Sequence, residues 1–339
     1  MGSRRNQQAI GKSRPLGSHT ARRRASASRS VDLSQLAWPR RYTQRKARGM
    51  DERNPDRRSL HSSHSRLPCH NAGLVTYKLT DKNTLISFSG GRTSGYMLYQ
   101  ILKANDGLPI TAKVVFANTG REMPETLDFV RDCQVNWGID ISWLEYDRVD
   151  NKVAVRLTDW KGASRNGEPF DKYLAGNMLP NVFRRACTQE LKVKTLKRYL
   201  VSLGWKQWIN TIGIRADEQR RLKPSKDKRW ENWYPLADAN ADKSKVMQFW
   251  KSQKFDLKII PGAGNCDGCF LKSEATLSAM FREYPERMAW WSDWETKKGR
   301  TFHETRTYKE LGSFVDRQGD WIFDDEAYLC QQDDGECTG

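Results

Sequence analysis

The chain has 339 residues, of which 37% are apolar and 29% are charged, and it contains 13 Trp, 11 Tyr and 12 Phe. That aromatic content excludes a wholly disordered protein, and the length suits one domain of about 200 to 270 residues with a tail as well as two domains. No segment approaches the roughly 18 consecutive apolar residues of a membrane-spanning helix, so we expect no membrane partner.

The formal net charge of +17 is unevenly distributed along the chain. Residues 1–70 hold 17 Lys and Arg and 4 Asp and Glu, whereas residues 71–339 hold 41 and 37. The first segment is rich in Arg and Ser and shows no apolar periodicity, so we predict a basic disordered extension over residues 1–72. A nucleic-acid-binding arm and an organelle transit peptide are its two functional alternatives.

From about residue 75 onward, short apolar strands alternate with helical patterns. Strands are predicted at residues 84–88, 113–117, 139–146 and 206–214, and helices at residues 94–104, 124–137 and 187–203. This alternation predicts an α/β domain over residues 73–275, with a Rossmann-like parallel sheet flanked by helices. The polar motifs follow the carboxyl ends of the strands, where such sheets bind ligands.

Residues 276–339 form a third predicted segment, a helical and aromatic-rich C-terminal extension. Its residues 281–300 read FREYPERMAWWSDWETKKGR. Clustered aromatic side chains can stack on nucleic-acid bases, but we favour a packed helical lid, because the folded body must bury most of its tryptophans. Beyond residue 70 the only histidine is His303, so no histidine-based triad or multi-histidine metal site is expected.

The turn SGGRTS links the first predicted strand to the first helix. Its two glycines allow a phosphate to approach the backbone, and the helix N-terminus offers unpaired N–H groups. Three hydroxyl side chains add donors, and an arginine adds a cation. The spacing and the lysine of a P-loop are missing, so an ordinary strand-to-helix turn is the alternative. The predicted phosphate-binding residues are Ser89, Gly90, Gly91, Arg92, Thr93 and Ser94.

Four motifs in a fixed order give the sequence a resemblance to a known family. The turn resembles the SGGxxS pyrophosphate loop of the adenine-nucleotide alpha-hydrolase (PP-loop) superfamily. Residues 117–126, ANTGREMPET, are similar to the DTG…FPET segment of phosphoadenosine phosphosulfate (PAPS) reductases, with Asn118 in place of the usual Asp. Residues 213–221, GIRADEQRR, and residues 234–236, YPL, resemble later segments of that family. The motifs together cover roughly residues 84–275.

This resemblance implies an adenine nucleotide, ATP or PAPS, with its phosphates on Ser89–Ser94. Its adenosine would lie near Asn118 and Thr119, at the end of the second strand. Arg215 follows Gly213 at a later strand end, and its guanidinium is suited to binding a phosphate or a sulfonate. Mg²⁺ on the phosphates would need carboxylate ligands, for which the candidates are Glu122, Glu125 and Asp217.

The seven cysteines are irregularly spread, which argues against a secreted disulfide framework and favours the reducing cytoplasm. Cys266 and Cys269 form a CxxC motif after a glycine-rich stretch, a spacing that suits one metal or a reactive dithiol. Cys187 is surrounded by Arg and Lys residues, which favour its thiolate. Cys133 lies on the apolar stripe of a predicted helix, so we expect it in the core.

Family members with an iron–sulfur cluster have a Cys-Cys pair followed by a distant CxxC. Here only Cys187 remains of the pair, so the resemblance implies that Cys187, Cys266 and Cys269 hold a [4Fe–4S] cluster. Similarity to the sulfur-transferring tRNA thiolases of the superfamily implies the same three-ligand arrangement, with one iron open. A closed site, in which Cys330 or Cys337 supplies a fourth ligand, is an alternative. Zinc, a redox dithiol and unligated thiols are the alternatives.

PAPS reductases without a cluster use a cysteine in a C-terminal ECGLH-like stretch, which this sequence lacks. Two enzymatic interpretations follow. In the first, Cys187 and Arg215 are catalytic, a thiolate attacks the sulfur of a sulfonucleotide, and sulfite is released with the help of a thiol reductant. In the second, ATP is split between its α and β phosphates, and an adenylated acceptor such as a nucleic acid receives sulfur from a donor. A nucleotide-binding or nucleic-acid-binding accessory protein without turnover is the non-enzymatic alternative.

Overall fold

The computed structural model describes residues 77–260, 262–303 and 305–318. The predictions for the basic extension and for Cys330 and Cys337 lie outside these residues. Within the described ranges, no helix is both long enough and apolar enough to cross a lipid bilayer.

The centre of the fold is a sheet of six strands. They are β1 (Thr84–Ser87), β2 (Ala112–Asn118), β3 (Ile141–Val149), β4 (Lys152–Thr158), β5 (Trp208–Ile212) and β6 (Trp230–Trp233). Their order across the sheet is β4-β3-β2-β1-β5-β6. Neighbouring strands are parallel except for β3 and β4, which form an antiparallel hairpin. The structure therefore confirms the predicted α/β class with a largely parallel sheet.

Helices flank this sheet and form the C-terminal part of the described chain. They are α1 (Arg92–Asn105), α2 (Pro124–Trp137), α3 (Glu168–Ala175), α4 (Lys194–Ser202), α5 (Pro235–Asp238), α6 (Lys243–Lys251), α7 (Glu274–Glu283), α8 (Pro285–Lys298) and α9 (Tyr308–Gln318). A 3-10 helix covers Ala216–Arg221. The predicted strands and helices lie within a few residues of their observed positions, and the C-terminal helices are confirmed.

The helix predicted over residues 187–203 differs from the structure in its first half. Cys187–Val193 is a π-helical segment that leads directly into α4. The backbone N–H of Lys194 donates to the carbonyl of Gln189, five residues earlier, so the turn is wider than an α-helical one. Such π-helical turns are rare and often lie at functional sites.

Two apolar clusters cover the opposite faces of the sheet. Successive side chains of a strand point to opposite faces, so Ile86 packs with Phe116 and Trp250 under α1, α2 and α6, whereas Leu85 packs with Leu200 of α4 on the other side. Leu85 and α4 therefore lie on the same face of the sheet.

A third apolar cluster joins the π-helical segment, α3 and the three C-terminal helices to the loop that carries Cys266 and Cys269. Trp291 of α8 is buried there and stacks on Tyr308 of α9, with 5.8 Å between the ring centroids. The aromatic residues of the C-terminal part thus form a packed core in the described chain. The domain boundaries at residues 72 and 275 stay a prediction.

Candidate functional site

The turn after β1 is tightly packed from behind. Gly90 has a φ of 82°, and a Cβ atom there would lie 2.8 Å from Thr126 Cγ2 and 3.1 Å from Phe116 Cε2. A larger residue would therefore be both strained and obstructed. Gly91 follows in an extended conformation as the N-cap of α1, and no side chain caps the helix there. The N-terminus of α1 therefore lies at this turn, and the dipole of a helix favours an anion at that end.

The two serines of the turn fix its shape by bonding to each other. The hydroxyl of Ser94 accepts from the backbone N–H of Ser89 at 3.2 Å and lies 2.8 Å from the hydroxyl of Ser89. Ser94 also donates to the carbonyl of Gly91 at 3.1 Å. These bonds restrain the conformation of the loop, and a restrained loop has a lower entropic cost of binding a ligand.

Arg92 directs its guanidinium away from this role. Its Nε lies 2.7 Å from Oδ1 of Asp256, its Nη2 lies 3.1 Å from Oδ2, and it also donates to the carbonyl of Leu257. The ion pair orients the guanidinium that the sequence predicted for a phosphate toward Asp256. What Arg92 offers at the turn is its backbone, at the first position of α1.

Arg215 supports the turn from beneath. It is fully buried, and its Nη1 donates to Thr93 Oγ1 at 3.2 Å, while its Nε donates to Asp217 at 3.0 Å. The end of β5 approaches α1 closely here, since a Cβ on Gly213 would lie 3.0 Å from the Cα of Ser94. The predicted residues Gly213 and Arg215 are therefore brought to the turn, where Arg215 contacts Thr93.

Asn118 and Thr119, at the end of β2, use their polar groups inside the protein. The buried amide of Asn118 donates to Glu145 at 2.7 Å, and its oxygen accepts from the N–H of Gly120 at 3.0 Å. Both the N–H and the hydroxyl of Thr119 donate to Glu122 Oε2 at 2.8 Å. These bonds determine the path of the chain at the edge where the adenosine was predicted.

A cavity of about 190 Å³ lies beside the turn, between the sheet and the π-helical segment with α4. Ser89 and Ser94 line it with polar groups, and apolar side chains from four strands and from α4 form much of its wall. Sequence reasoning missed several of its residues, because they carry no motif. These are Ser87, Thr188, Lys192, Lys197, Trp208, Asn210 and Trp230.

Lys192 brings a cation to the wall of this cavity. Its Nζ lies 3.4 Å from Oε1 of Glu122, whose side chain is fully buried. Among the described residues, that oxygen has no hydrogen-bond partner, so the ammonium is the positive charge that faces it. The only sequence signal for Lys192 was its place five residues after Cys187, within the basic stretch that had been singled out for the cysteine.

The CxxC loop is anchored by buried charges. Asp267 lies between the two cysteines in the sequence and is fully buried. Its carboxylate accepts a hydrogen bond from Arg121 and another from Trp291 Nε1, the latter at 2.8 Å. The N–H of Asp267 donates to the carbonyl of Arg121 at 2.9 Å, and Cys266 forms an isolated antiparallel bridge with Glu122. The loop thus lies against the start of α2, beside the carboxylate that Lys192 contacts.

The C-terminal helices close over the same loop. The hydroxyl of Tyr308 donates to the carbonyl of Gly268 at 2.8 Å, and a Cβ on Gly268 would lie 2.2 Å from Trp291 Nε1. Burial raises the pKa of Tyr308 well above its usual value, and the nearby thiol of Cys269 adds to the effect. The tyrosine therefore remains a proton donor at neutral pH.

The three cysteines predicted as cluster ligands meet a chemical requirement but not a geometric one. Cys187, Cys266 and Cys269 all belong to the third apolar cluster, and thiolates are the usual ligands of iron–sulfur clusters. Within the described residues, however, no group of three Cys, His, Asp or Glu side chains is arranged to hold a metal ion. The same search of the described residues finds no carboxylate group for Mg²⁺; of the predicted ligands, Glu122 accepts from Thr119 and Asp217 pairs with Arg215.

The sequence matches an established domain family. Residues 83–258, just over half of the chain, match the family model described as the phosphoadenosine phosphosulfate reductase domain.

Two relatives are similar over part of their length. The chain is 32% identical over 197 residues to an uncharacterized nin region protein of Escherichia phage lambda, which covers 56% of this chain and 66% of that protein. It is 29% identical over 143 residues to an uncharacterized protein of Methanocaldococcus jannaschii, which covers 42% of this chain and 25% of that protein. The chain therefore spans less than two thirds of either relative.

Two solved structures show a more distant likeness. The PAPS reductase of Candida auris in a phosphate complex is 19% identical, with 51% of this chain and 73% of that chain covered and a TM-score of 0.35. The tRNA thiolase NcsA of Methanococcus maripaludis, with its [4Fe-4S] cluster, is 13% identical, with 69% and 82% covered and a TM-score of 0.35.

Proposed function

Because the chain belongs to the phosphoadenosine phosphosulfate reductase domain family, we propose that it is an enzyme that binds an adenine nucleotide and acts in sulfonucleotide reduction or sulfur transfer. The observation that carries this proposal is the cavity beside the turn Ser89–Ser94. One end of that cavity offers hydroxyls and the N-terminus of α1, and its wall includes Lys192, whereas the rest is largely apolar. A polyanionic tail and a purine need these two environments side by side.

Each residue near the turn has a part in this proposal. The N-terminus of α1 binds the phosphates, and the hydroxyls of Ser89 and Ser94 keep the turn in shape by bonding to each other. The ammonium of Lys192, held by Glu122, neutralises their charge. Arg215 acts through Thr93 as a positioning residue, because its guanidinium is buried against that side chain.

The reductase form of the proposal uses Cys187 as the nucleophile. This residue precedes Thr188, which lines the cavity. Its thiolate attacks the sulfur of PAPS, the bond from that sulfur to the phosphate oxygen breaks, and adenosine 3′,5′-bisphosphate leaves. The sulfonate is then carried on the Cys187 sulfur. One thiol of an external dithiol attacks this sulfur and displaces sulfite, and the second thiol releases Cys187 as it closes a disulfide in the reductant.

A second form of the proposal is favoured by the three cysteines in one apolar cluster. Here an acceptor oxygen attacks the α-phosphate of ATP, the bond to the β-phosphate breaks, and pyrophosphate leaves. Sulfide then attacks the adenylated carbon of the acceptor, the bond from that carbon to the oxygen of AMP breaks, and the acceptor gains the sulfur as AMP leaves. The two forms differ in their products, since the first yields sulfite from PAPS and the second yields pyrophosphate and AMP from ATP.

An iron–sulfur cluster on Cys187, Cys266 and Cys269 is a separate part of the proposal. It is tested by anaerobic purification with iron and acid-labile sulfide analysis. A brown protein whose visible absorbance disappears on Cys266→Ser supports the cluster. A colourless protein with zinc, or with no metal, removes it and leaves a dithiol.

The nucleotide site is tested by calorimetric titration of the full chain with PAPS and with ATP. Lys192→Ala should weaken the affinity for the preferred nucleotide about tenfold or more, because a charge-assisted contact contributes about 1.5 to 3 kcal/mol. The matched control is Lys194→Ala, since Lys194 is half exposed and pairs with Glu190 outside the cavity. Equal affinities of the parent and the Lys192 variant would rule out the cavity as the nucleotide site. Sulfite and pyrophosphate assays then separate the two chemical forms.

A further inference from the structure

A groove of about 490 Å³ near Arg184 carries positive charge that the nucleotide cavity does not use. Three of its lining residues are cations, Arg184, Lys298 and Arg300, and none of its lining residues is acidic. Arg184 and Arg300 are exposed, and Lys298 is partly buried. In the part of the chain that the structure describes, no carboxylate lies within ion-pair distance of any of the three. Cations grouped in this way repel one another unless an anion joins them.

The net positive charge of the chain segment that follows Arg184 also favours an anionic partner. Residues 184–229 hold 14 Lys and Arg and 4 Asp and Glu, a net of +10, whereas the rest of residues 71–339 holds 27 and 33. This segment begins at Arg184 and includes the π-helical segment and α4, which form one wall of the cavity. A mononucleotide cannot neutralise so much positive charge, but a polyanion can.

Beside the cations, an aromatic ring is presented to solvent. Phe183 is 85% exposed, and Met178 of the groove is 55% exposed. The side-chain oxygen of Asn181 accepts from the backbone N–H of Phe183 at 3.1 Å and of Arg184 at 2.9 Å. This turn fixes the backbone under Phe183, so the ring is held outward next to Arg184. Exposed aromatic rings next to cations are typical of sites that stack nucleic-acid bases.

We infer that the Arg184 surface, made of Phe183, Arg184, Lys298 and Arg300, binds a single-stranded nucleic acid. The three cations contact phosphates, and one base stacks on Phe183. A duplex keeps its bases stacked inside the helix and cannot offer a base face to that ring. Since Cys187 follows Arg184 by three residues, a bound strand lies beside the segment that lines the nucleotide cavity. The inference deepens the proposed function by naming a partner class, and its test measures strand binding separately from nucleotide binding.

The test measures fluorescence anisotropy of labelled mixed-sequence RNA and DNA single strands of about 12 nucleotides, with the full chain at several salt concentrations. Arg184→Ala/Arg300→Ala should bind about tenfold or more weakly, and its plot of log affinity against log salt should be shallower by about 1 for each lost phosphate contact. The control Lys152→Ala/Lys254→Ala removes two charges at exposed positions outside the groove and should match the parent. Comparison of RNA with DNA identifies which strand is preferred.

The aromatic contact has its own variants. Phe183→Ala should lose about tenfold in affinity for a single strand, whereas Phe183→Tyr keeps a ring and should retain it. If the double arginine variant binds with the affinity and salt dependence of the parent, the inference is wrong and strand binding belongs to another part of the chain. The inference is also wrong if a duplex binds as tightly as a single strand and Phe183→Ala does not change the affinity for a single strand. Lys192→Ala should keep oligonucleotide binding, which separates failure of this inference from failure of the nucleotide site.

Discussion

The ammonium of Lys192 lies 3.4 Å from the buried Oε1 of Glu122, and the same lysine lines the cavity beside the turn Ser89–Ser94. The other oxygen of Glu122 accepts two bonds from Thr119, at the end of β2. The pair therefore links the central sheet to the π-helical segment. It also fixes a cation at the place where the phosphates of a nucleotide are proposed to bind.

Removal of this lysine should affect stability and binding differently. Lys192→Met leaves the buried carboxylate of Glu122 without its counter-charge, which should lower the free energy of unfolding by about 2 to 4 kcal/mol. Glu122→Gln in the same background removes that charge and should restore part of the stability, as measured by urea unfolding. Nucleotide affinity should not return, because the cation is still missing. A double variant no more stable than Lys192→Met would show that the pair has no structural role.

The turn itself should not tolerate a side chain at Gly90. Gly90→Ala adds a methyl group at a φ of 82°, where it would meet Thr126 at 2.8 Å. Gly107→Ala is the matched control, because its φ is 109° but nothing lies within 4 Å of an added Cβ. We expect the control to lose about 1 kcal/mol from backbone strain, and Gly90→Ala to lose more and to bind nucleotide at least tenfold more weakly. Calorimetry and thermal unfolding check both; equal behaviour of the two would contradict the packing argument.

The contact between Gly268 and Trp291 predicts a large stability effect. A Cβ on Gly268 would lie 2.2 Å from the indole nitrogen, so Gly268→Ala should cost about 3 kcal/mol or more. The same change at Gly176 meets only the end of the Arg148 side chain at 3.0 Å, which can move aside, and should cost far less. Urea unfolding compares the two. If Gly268→Ala is as stable as the control, the C-terminal helices do not pack on this loop as described.

One surface ion pair should give a pH-dependent contribution. The hydrogen bond from Lys197 holds the pKa of Asp227 below its usual value. A carboxyl with a lowered folded pKa stabilises the protein above its unfolded pKa of about 4, and this stabilisation is lost as the pH falls through the folded value. Asp227→Asn should therefore lower the free energy of unfolding by up to about 1 kcal/mol at pH 7 and by less as the pH falls below about 4.

The control for this pair is a double-mutant cycle. In a Lys197→Ala background, Asp227→Asn should have little effect at either pH, because the partner that lowers the pKa is gone. An undiminished effect in that background would mean that the stabilisation comes from the backbone bonds of Asp227 instead.

Much of the sheet could be predicted because its central strands are short apolar runs between turns. Strand β4 was not predicted from the sequence. In the structure, Asp150 and Asn151 before it have φ values of 50° and 60°, which suit a two-residue hairpin turn. The reason that β4 was not predicted is its place at the edge of the sheet, where Leu157 is 61% exposed and the alternation of buried and exposed residues is weak. An edge strand carries less burial signal than a central one.

In the site, the sequence located the turn but not the partners of its side chains. The sequence predicted Arg92 as a phosphate ligand but could not show that Asp256, 164 residues later, pairs with its guanidinium. Lys192 showed no motif of its own, because its importance depends on Glu122 from another element. Local patterns predict which backbone turns toward a ligand, whereas long-range pairing decides which charges remain to meet it.

The anchoring of the CxxC loop by Trp291 and Tyr308 has a consequence for biosynthesis. The whole six-stranded sheet, which ends with Trp233, is synthesised before either aromatic anchor. Since protein segments fold from the N-terminus as they emerge, Cys266 and Cys269 reach their final surroundings among the last parts of the described chain. Until then a nascent polypeptide carries both thiols on a loop that lacks the bonds from Trp291 to Asp267 and from Tyr308 to Gly268.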